Sequence, residues 1–279
     1  MDRNYVITCL AALGLSSVVL GVPRVGLAQE VGMPASNVGF PDATNTGVPA
    51  GLVLTPHHGD LVINTPGMVI SGLDIHGSVR INAPNVTLMN SKVTSSSFYT
   101  VGLKSAGGTV QNCTIDGTGT GNDGSVGIHG SGTFLNNNIF NVEDGIHPDS
   151  NSIVRGNYIH GLLASGAPHY DGIQIDGGRS NVTISHNTVI NDHNQTSAVM
   201  IDNWHGAISN IRVDNNLLVG GGYTIYVDGQ FDGGSISGVS ITNNHMGPGR
   251  FGTTAFNRTK PIYTGNVNDG AALARSLHR

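Results

Sequence analysis

A phrase of alternating apolar and polar residues that ends on an Asn turn recurs along this chain. It is clearest as Val182-Thr183-Ile184-Ser185-His186-Asn187-Thr188-Val189, Ile211-Arg212-Val213-Asp214-Asn215-Asn216-Leu217-Leu218 and Val239-Ser240-Ile241-Thr242-Asn243-Asn244-His245-Met246. Looser copies run over Val86–Val93, Thr109–Ile115, Thr133–Ile139 and Ile153–Ile159. The sixth position falls at Leu73, Ser91, Cys113, Asn137, Asn157, Asn187, Asn216 and Asn244, in steps of 18 to 30 residues that average about 24. Period-two alternation between clusters of Gly, Asn, Asp and Ser makes each unit strand and turn, without helix. A propeller blade needs about 40 residues, and a leucine-rich repeat needs a helical return. About 24 residues at ~3.3 Å each instead close one circuit of two or three short strands, and such circuits stack ~4.8 Å apart. The chain is therefore expected to be all-β, one parallel β-helix of about eight to ten coils. The recurring Asn residues are expected to hydrogen-bond from coil to coil as a structural ladder.

Composition fits a narrow core. Only 11% of residues are charged, 5% are aromatic and 41 of 279 are Gly, too little bulk for a layered α/β domain but suited to stacked Val, Ile and Leu with Gly and Asn at the turns. Arg3 precedes an apolar run from Tyr5 to Leu20, and Gly26-Leu27-Ala28 offers small residues to a signal peptidase. Residues 1–28 are expected to be a signal peptide, 29–58 a lead-in or cap over the first coil, 59–267 the β-helix and 268–279 a tail with a short helix closing the other end. The mature chain is expected to be exported, monomeric and free of the membrane, because the apolar run is too short for a span. Cys9 leaves with the signal, so Cys113 remains without a disulfide partner. No basic stripe invites nucleic acid.

Chemistry is expected on the second strand of each coil. Placing Leu103, Ile128, Ile146, Ile173, Val199 and Ile225 inside puts Lys104, His129, His147, Gln174, Met200 and Tyr226 outside. Two residues on, a second outward column reads Ser131, Asp149, Asp176, Asp202 and Asp228, and Gly102, Gly127, Gly145 and Gly172 are expected to leave outward room for a ligand. Carboxylates stacked ~5 Å apart raise one another's pKa unless compensated. Asp149, Asp176 and Asp202 are thus expected either to hold Ca²⁺ or to keep a protonated acid among them; turn formation at strand ends is the structural alternative. Long insertions before Asp171 and Ala198 bring His169, Tyr170 and His193 to the same face, where solenoids build binding surfaces. Zinc is possible in principle, but no tight ligand spacing supports it.

The coil repeat, the Asn positions and the strands Asp144-Gly145-Ile146-His147 and His169-Tyr170-Asp171-Gly172-Ile173-Gln174 resemble the secreted right-handed parallel β-helix proteins of the pectate-lyase-like superfamily, over about Gly59 to Gly247. That resemblance implies a polysaccharide substrate lying along the rod. Asp171-Gly172 and Asp202-Asn203 match only halves of two polygalacturonase motifs, and His147-Pro148-Asp149 reverses an alginate-epimerase motif. Three chemistries follow. A lyase of a uronic-acid glycan would use Lys104, His129, His147 or His169 as base, Tyr170 as acid and Ca²⁺ on Asp149, Asp176 and Asp202. A glycoside hydrolase would take its two carboxyls, one of them protonated, from Asp149, Asp171, Asp176 and Asp202. A C5-epimerase or non-catalytic glycan-binding protein would share the groove, with Gln174, Arg179, His193, Trp204 and Tyr226 as substrate contacts.

Overall fold

Residues 39–121 and 123–277 are described in a computed structural model; the expected signal peptide and residues 29–38 of the lead-in lie outside them. The strands form three sheets of nine, all paired in parallel, each sheet taking every third strand of the chain. The first sheet runs from Thr55–His58 to His245–Gly247, the second from Leu61–Ile63 to Gly252–Asn257 and the third from Val69–Ser71 to Ile262–Thr264. This is a parallel β-helix of nine coils with three strands per coil, as the repeat predicts.

Stacking places like residues over like. In the second sheet Val79, Val101, Ile128, Ile146, Ile173, Val199 and Ile225 stand in one register column, each fully buried. Between the third and first sheets the chain turns sharply at one left-handed residue per coil: Gly72, Asn90, Asn112, Asn136, Gly156, His186, Asn215, Asn243 and Gly265, with φ from +49° to +74°. Gly, Asn and His tolerate this conformation better than branched residues do.

The next residue in each turn carries the ladder. Asn137, Asn157, Asn187, Asn216 and Asn244 are fully buried, and each Nδ2 donates to Oδ1 of the Asn one coil on at 2.9 Å. The last partner is Asn266, a rung the repeat phrase does not reveal. Each Oδ1 also accepts a backbone N–H of the coil before, as at Asn157 to Asn187, 3.0 Å. A second Nδ2 bond, such as Asn187 to the Val154 carbonyl at 2.9 Å, completes the amide's needs inside the core. Cys113 starts this run; its backbone N–H donates to Asn137, and burial pushes its thiol up to about 12, which leaves it unreactive.

The described part of the lead-in runs along the coils instead of over the first one. Phe40 packs on His186 and His245, ring centroids 5.8 and 5.1 Å away, and the Gly47 N–H donates to the Asn136 carbonyl. The tail forms a short helix, Gly270–Leu277, but instead of closing the end it lies on the outer face of the first sheet against Leu217–Gly220 and His245–Gly247. Gly247 permits that approach: a Cβ there would stand 2.8 Å from the Ala271 nitrogen.

Replacing Asn187 with Ala would orphan buried donors on Asn157 and the Val154 carbonyl, each worth ~1–3 kcal/mol. Urea unfolding is expected to show a loss of about 3 kcal/mol or more for Asn187→Ala. Asn215→Ala, which mainly forfeits the left-handed preference, is expected to lose only about 1 kcal/mol.

Candidate active-site cleft

The outer face of the second sheet carries an open cleft of about 810 Å³. Its floor departs from simple alternation. The ladder pairs Val126 with Asp144 and Ile128 with Ile146 but passes over the glycine between them. Gly127, Gly145 and Gly172 face the core, against expectation: a Cβ on Gly145 would stand 2.5 Å from Ile159 Cγ2 and 2.4 Å from the Gly172 carbonyl oxygen. Only Gly102 points to open space, its Cβ direction meeting nothing nearer than Tyr99 at 3.6 Å. Two successive residues therefore face inward at each of these bends. The residue before the glycine, which strict alternation would bury in the core, is delivered to the cleft instead.

Those residues are Asp144 and Asp171, with Glu143 beside them, all almost completely buried. Asp144 Oδ1 accepts the Asp171 backbone N–H at 2.8 Å, and its Oδ2 lies 3.1 Å from His147 Nε2. Asp171 Oδ1 accepts both the backbone N–H and the hydroxyl of Ser197, at 2.9 and 2.7 Å. Burial and the neighbouring Asp144 charge push the Asp171 carboxyl well above the usual range, and the Ser197 bonds offset this only in part. Burial disfavours the His147 imidazolium, yet the Asp144 hydrogen bond and charge outweigh it and raise its pKa. Burial lowers His129, with His147 and Arg179 acting the same way, and burial raises Asp202. Glu143 ties two loops together by accepting N–H groups of Gly124 and His169; burial raises its pKa while those bonds oppose the rise.

Asp144 and Glu143 were not singled out by alternation, which assigns Asp144 to the core. The signal for Asp144 was the shared Asp-Gly-Ile of Asp144-Gly145-Ile146 and Asp171-Gly172-Ile173. His129, His147, His169, Asp171, Gln174, Arg179, Trp204 and Tyr226 all line the cleft. Lys104 does not. The register sets Gly102, not Lys104, beside His129, so the outward column reads Arg80, Gly102, His129 and His147. Tyr170 is also turned away: its ring stacks on His193 with centroids 3.5 Å apart, and its hydroxyl reaches the Ala164 carbonyl. His193 in turn bonds the Leu162 carbonyl at 2.8 Å, so this pair braces the two inserted loops.

The Asp row is committed elsewhere. Asp149 is bonded to Arg179 Nε at 3.0 Å, Asp176 accepts from Gln174 at 2.8 Å, and Asp202 accepts the Trp204 N–H at 2.8 Å. Among the described residues no three His, Cys, Asp or Glu side chains gather closely enough to hold a metal ion. The Asp149, Asp176 and Asp202 donor set does not fit Ca²⁺, and no step below uses a metal. Addition of EDTA is accordingly expected to leave the melting temperature unchanged; a fall reversed by Ca²⁺ would contradict this geometry.

A search of curated proteins found no match. Among solved structures the chain is similar to the Dettilon tailspike protein (gp208), with 13% identity and a TM-score of 0.44. That match covers 78% of this chain and 63% of the tailspike chain, so this chain spans less than two thirds of its length. The family model described as right handed beta helix region matches residues 61–216, more than half of the sequence. With nine stacked parallel coils behind that match, the chain belongs to the right-handed β-helix family.

Proposed function

We propose that this protein is an exported, polysaccharide-active enzyme that breaks a uronic-acid-containing glycan by β-elimination in the second-sheet cleft. The observation that carries the proposal is the buried Asp171, its pKa raised well above the usual carboxylate range by burial and by Asp144, next to an Asp144–His147 pair. His147 Nε2 is turned to Asp144, which orients the ring and leaves Nδ1 to act as base. Nδ1 takes the C5 proton of the sugar, the C–H electrons form the C4=C5 bond, and the C4–O bond breaks. Asp171 gives its proton to the departing oxygen; with Oδ1 held by Ser197, Oδ2 is the donor. Arg179, which also holds Asp149, lines the same cleft and would meet the uronate carboxylate. Hydrolysis is the second reading, favoured by the further carboxyls Asp176, Asp202 and Asp228 in the cleft, one of which would serve as base opposite Asp171.

Incubation with acidic and neutral polysaccharides, followed by ultraviolet absorbance and reducing sugar together, separates the two. Elimination is expected to give both signals, and hydrolysis only reducing ends. His147→Ala and Asp171→Asn are each expected to lower the rate by ~10²-fold or more; full activity in both would overturn the assignment.

The raised Asp171 pKa also sets a stability slope. Between the ordinary carboxylate pKa of about 4 and its own higher value, folded Asp171 binds more protons than the unfolded chain does, so its contribution to stability falls as pH rises. Asp171→Asn removes that loss. Relative to wild type, the variant is expected to gain stability from acid to neutral pH in urea titrations; parallel curves would contradict the shift.

A further inference from the structure

A second cavity of about 470 Å³ adjoins the cleft and shares Phe98, Tyr99 and His129 with it. Arg80 and Lys104 line this cavity, and both are exposed. Its one carboxylate, Asp149, is already bonded to Arg179 at 3.0 Å. Asp60 feels the charge of Arg80 but accepts the Ser78 N–H at 2.7 Å and does not line the cavity. Gly102, between Arg80 and His129 in the register, leaves the floor bare, and Tyr99 stacks on His129 at 4.3 Å to form a wall. The cleft around Asp171 is rich in carboxyls, whereas this end of the same face is cationic.

We infer that the Arg80–Lys104 cavity is a distal subsite for an anionic group, carboxylate or sulfate, of the bound glycan. It rests on the second sheet's outer face being a glycan groove, as proposed above. Arg80 lies on the second coil, Lys104 just past the third-coil strand and Asp171 on the sixth, so at ~4.8 Å per coil the subsite is ~14–19 Å from the acid. A single sugar cannot reach both. The substrate is therefore an acidic oligosaccharide or polymer laid along the rod, with one charged unit held several residues from the bond that breaks. This assigns Lys104 to binding rather than to proton transfer.

The test uses the full chain carrying Asp171→Asn, so that binding is read without cleavage. Calorimetry compares an oligogalacturonate, a sulfated oligosaccharide and a neutral cello-oligosaccharide of equal length. At low salt the anionic probes are expected to bind ~10-fold tighter than the neutral one, and added salt should shrink that preference. Joint Arg80→Ala and Lys104→Ala replacement should remove it, and Gly102→Leu, which fills the floor, should weaken both anionic probes. The stronger of the two names the charged group. Equal binding of the neutral probe, no binding of either anionic probe, or a preference that survives the double replacement would overturn the subsite. Cleavage by wild type would still stand in those cases, and an inactive wild type that keeps the preference would overturn the cleavage proposal alone.

Discussion

The buried amide column is the interaction on which the rest of this molecule depends. A coil of two dozen residues has too little surface of its own to hold a register, and a slip of one residue would send its inner side chains outward. The Asn ladder makes such a slip costly. Each side chain both donates to and accepts from its neighbours one coil away, and in the fully buried setting of Asn157, Asn187 and Asn216 an unmade bond has no water to replace it.

Fixed register is also what gathers Asp144, His147 and Asp171 from ordinary strand residues. Because Ile146 sits beside Ile173, the carboxyl of Asp144 meets the backbone of Asp171, and Ser197 of the following coil meets its oxygen. Two carboxyls this close and this buried cannot both remain charged without large cost. The hydrogen bond from His147 Nε2 holds the Asp144 carboxyl, and burial with the Asp144 charge raises the pKa of Asp171. The core-facing glycines are part of the same device, since a side chain at Gly145 or Gly172 would strike the next coil or the core.

The fold and the ladder were legible because both rest on local periodicity: alternation, a turn residue and an amide recur in every coil. The cleft was only half legible. His147 lies where alternation puts something useful, but the placing of Asp144 and Asp171 requires knowing that the strands bend inward at Gly145 and Gly172. Lys104 shows a different failure. Val101-Gly102-Leu103-Lys104 and Val126-Gly127-Ile128-His129 look alike in letters, yet the register sets Val101 beside Ile128. The slip is two residues, so the face was right and the position along it was wrong. Tyr170 and His193 were brought together by loop packing, which no strand pattern encodes.

The central claim is that Asp171 remains a neutral acid where ordinary carboxylates are charged. Infrared difference spectroscopy of wild type against Asp171→Asn at about pH 6, two units above the usual Asp pKa, reads this directly. A protonated-carboxyl C=O stretch present in wild type and missing from the variant is the predicted result. An ionised carboxylate band in its place would contradict the account.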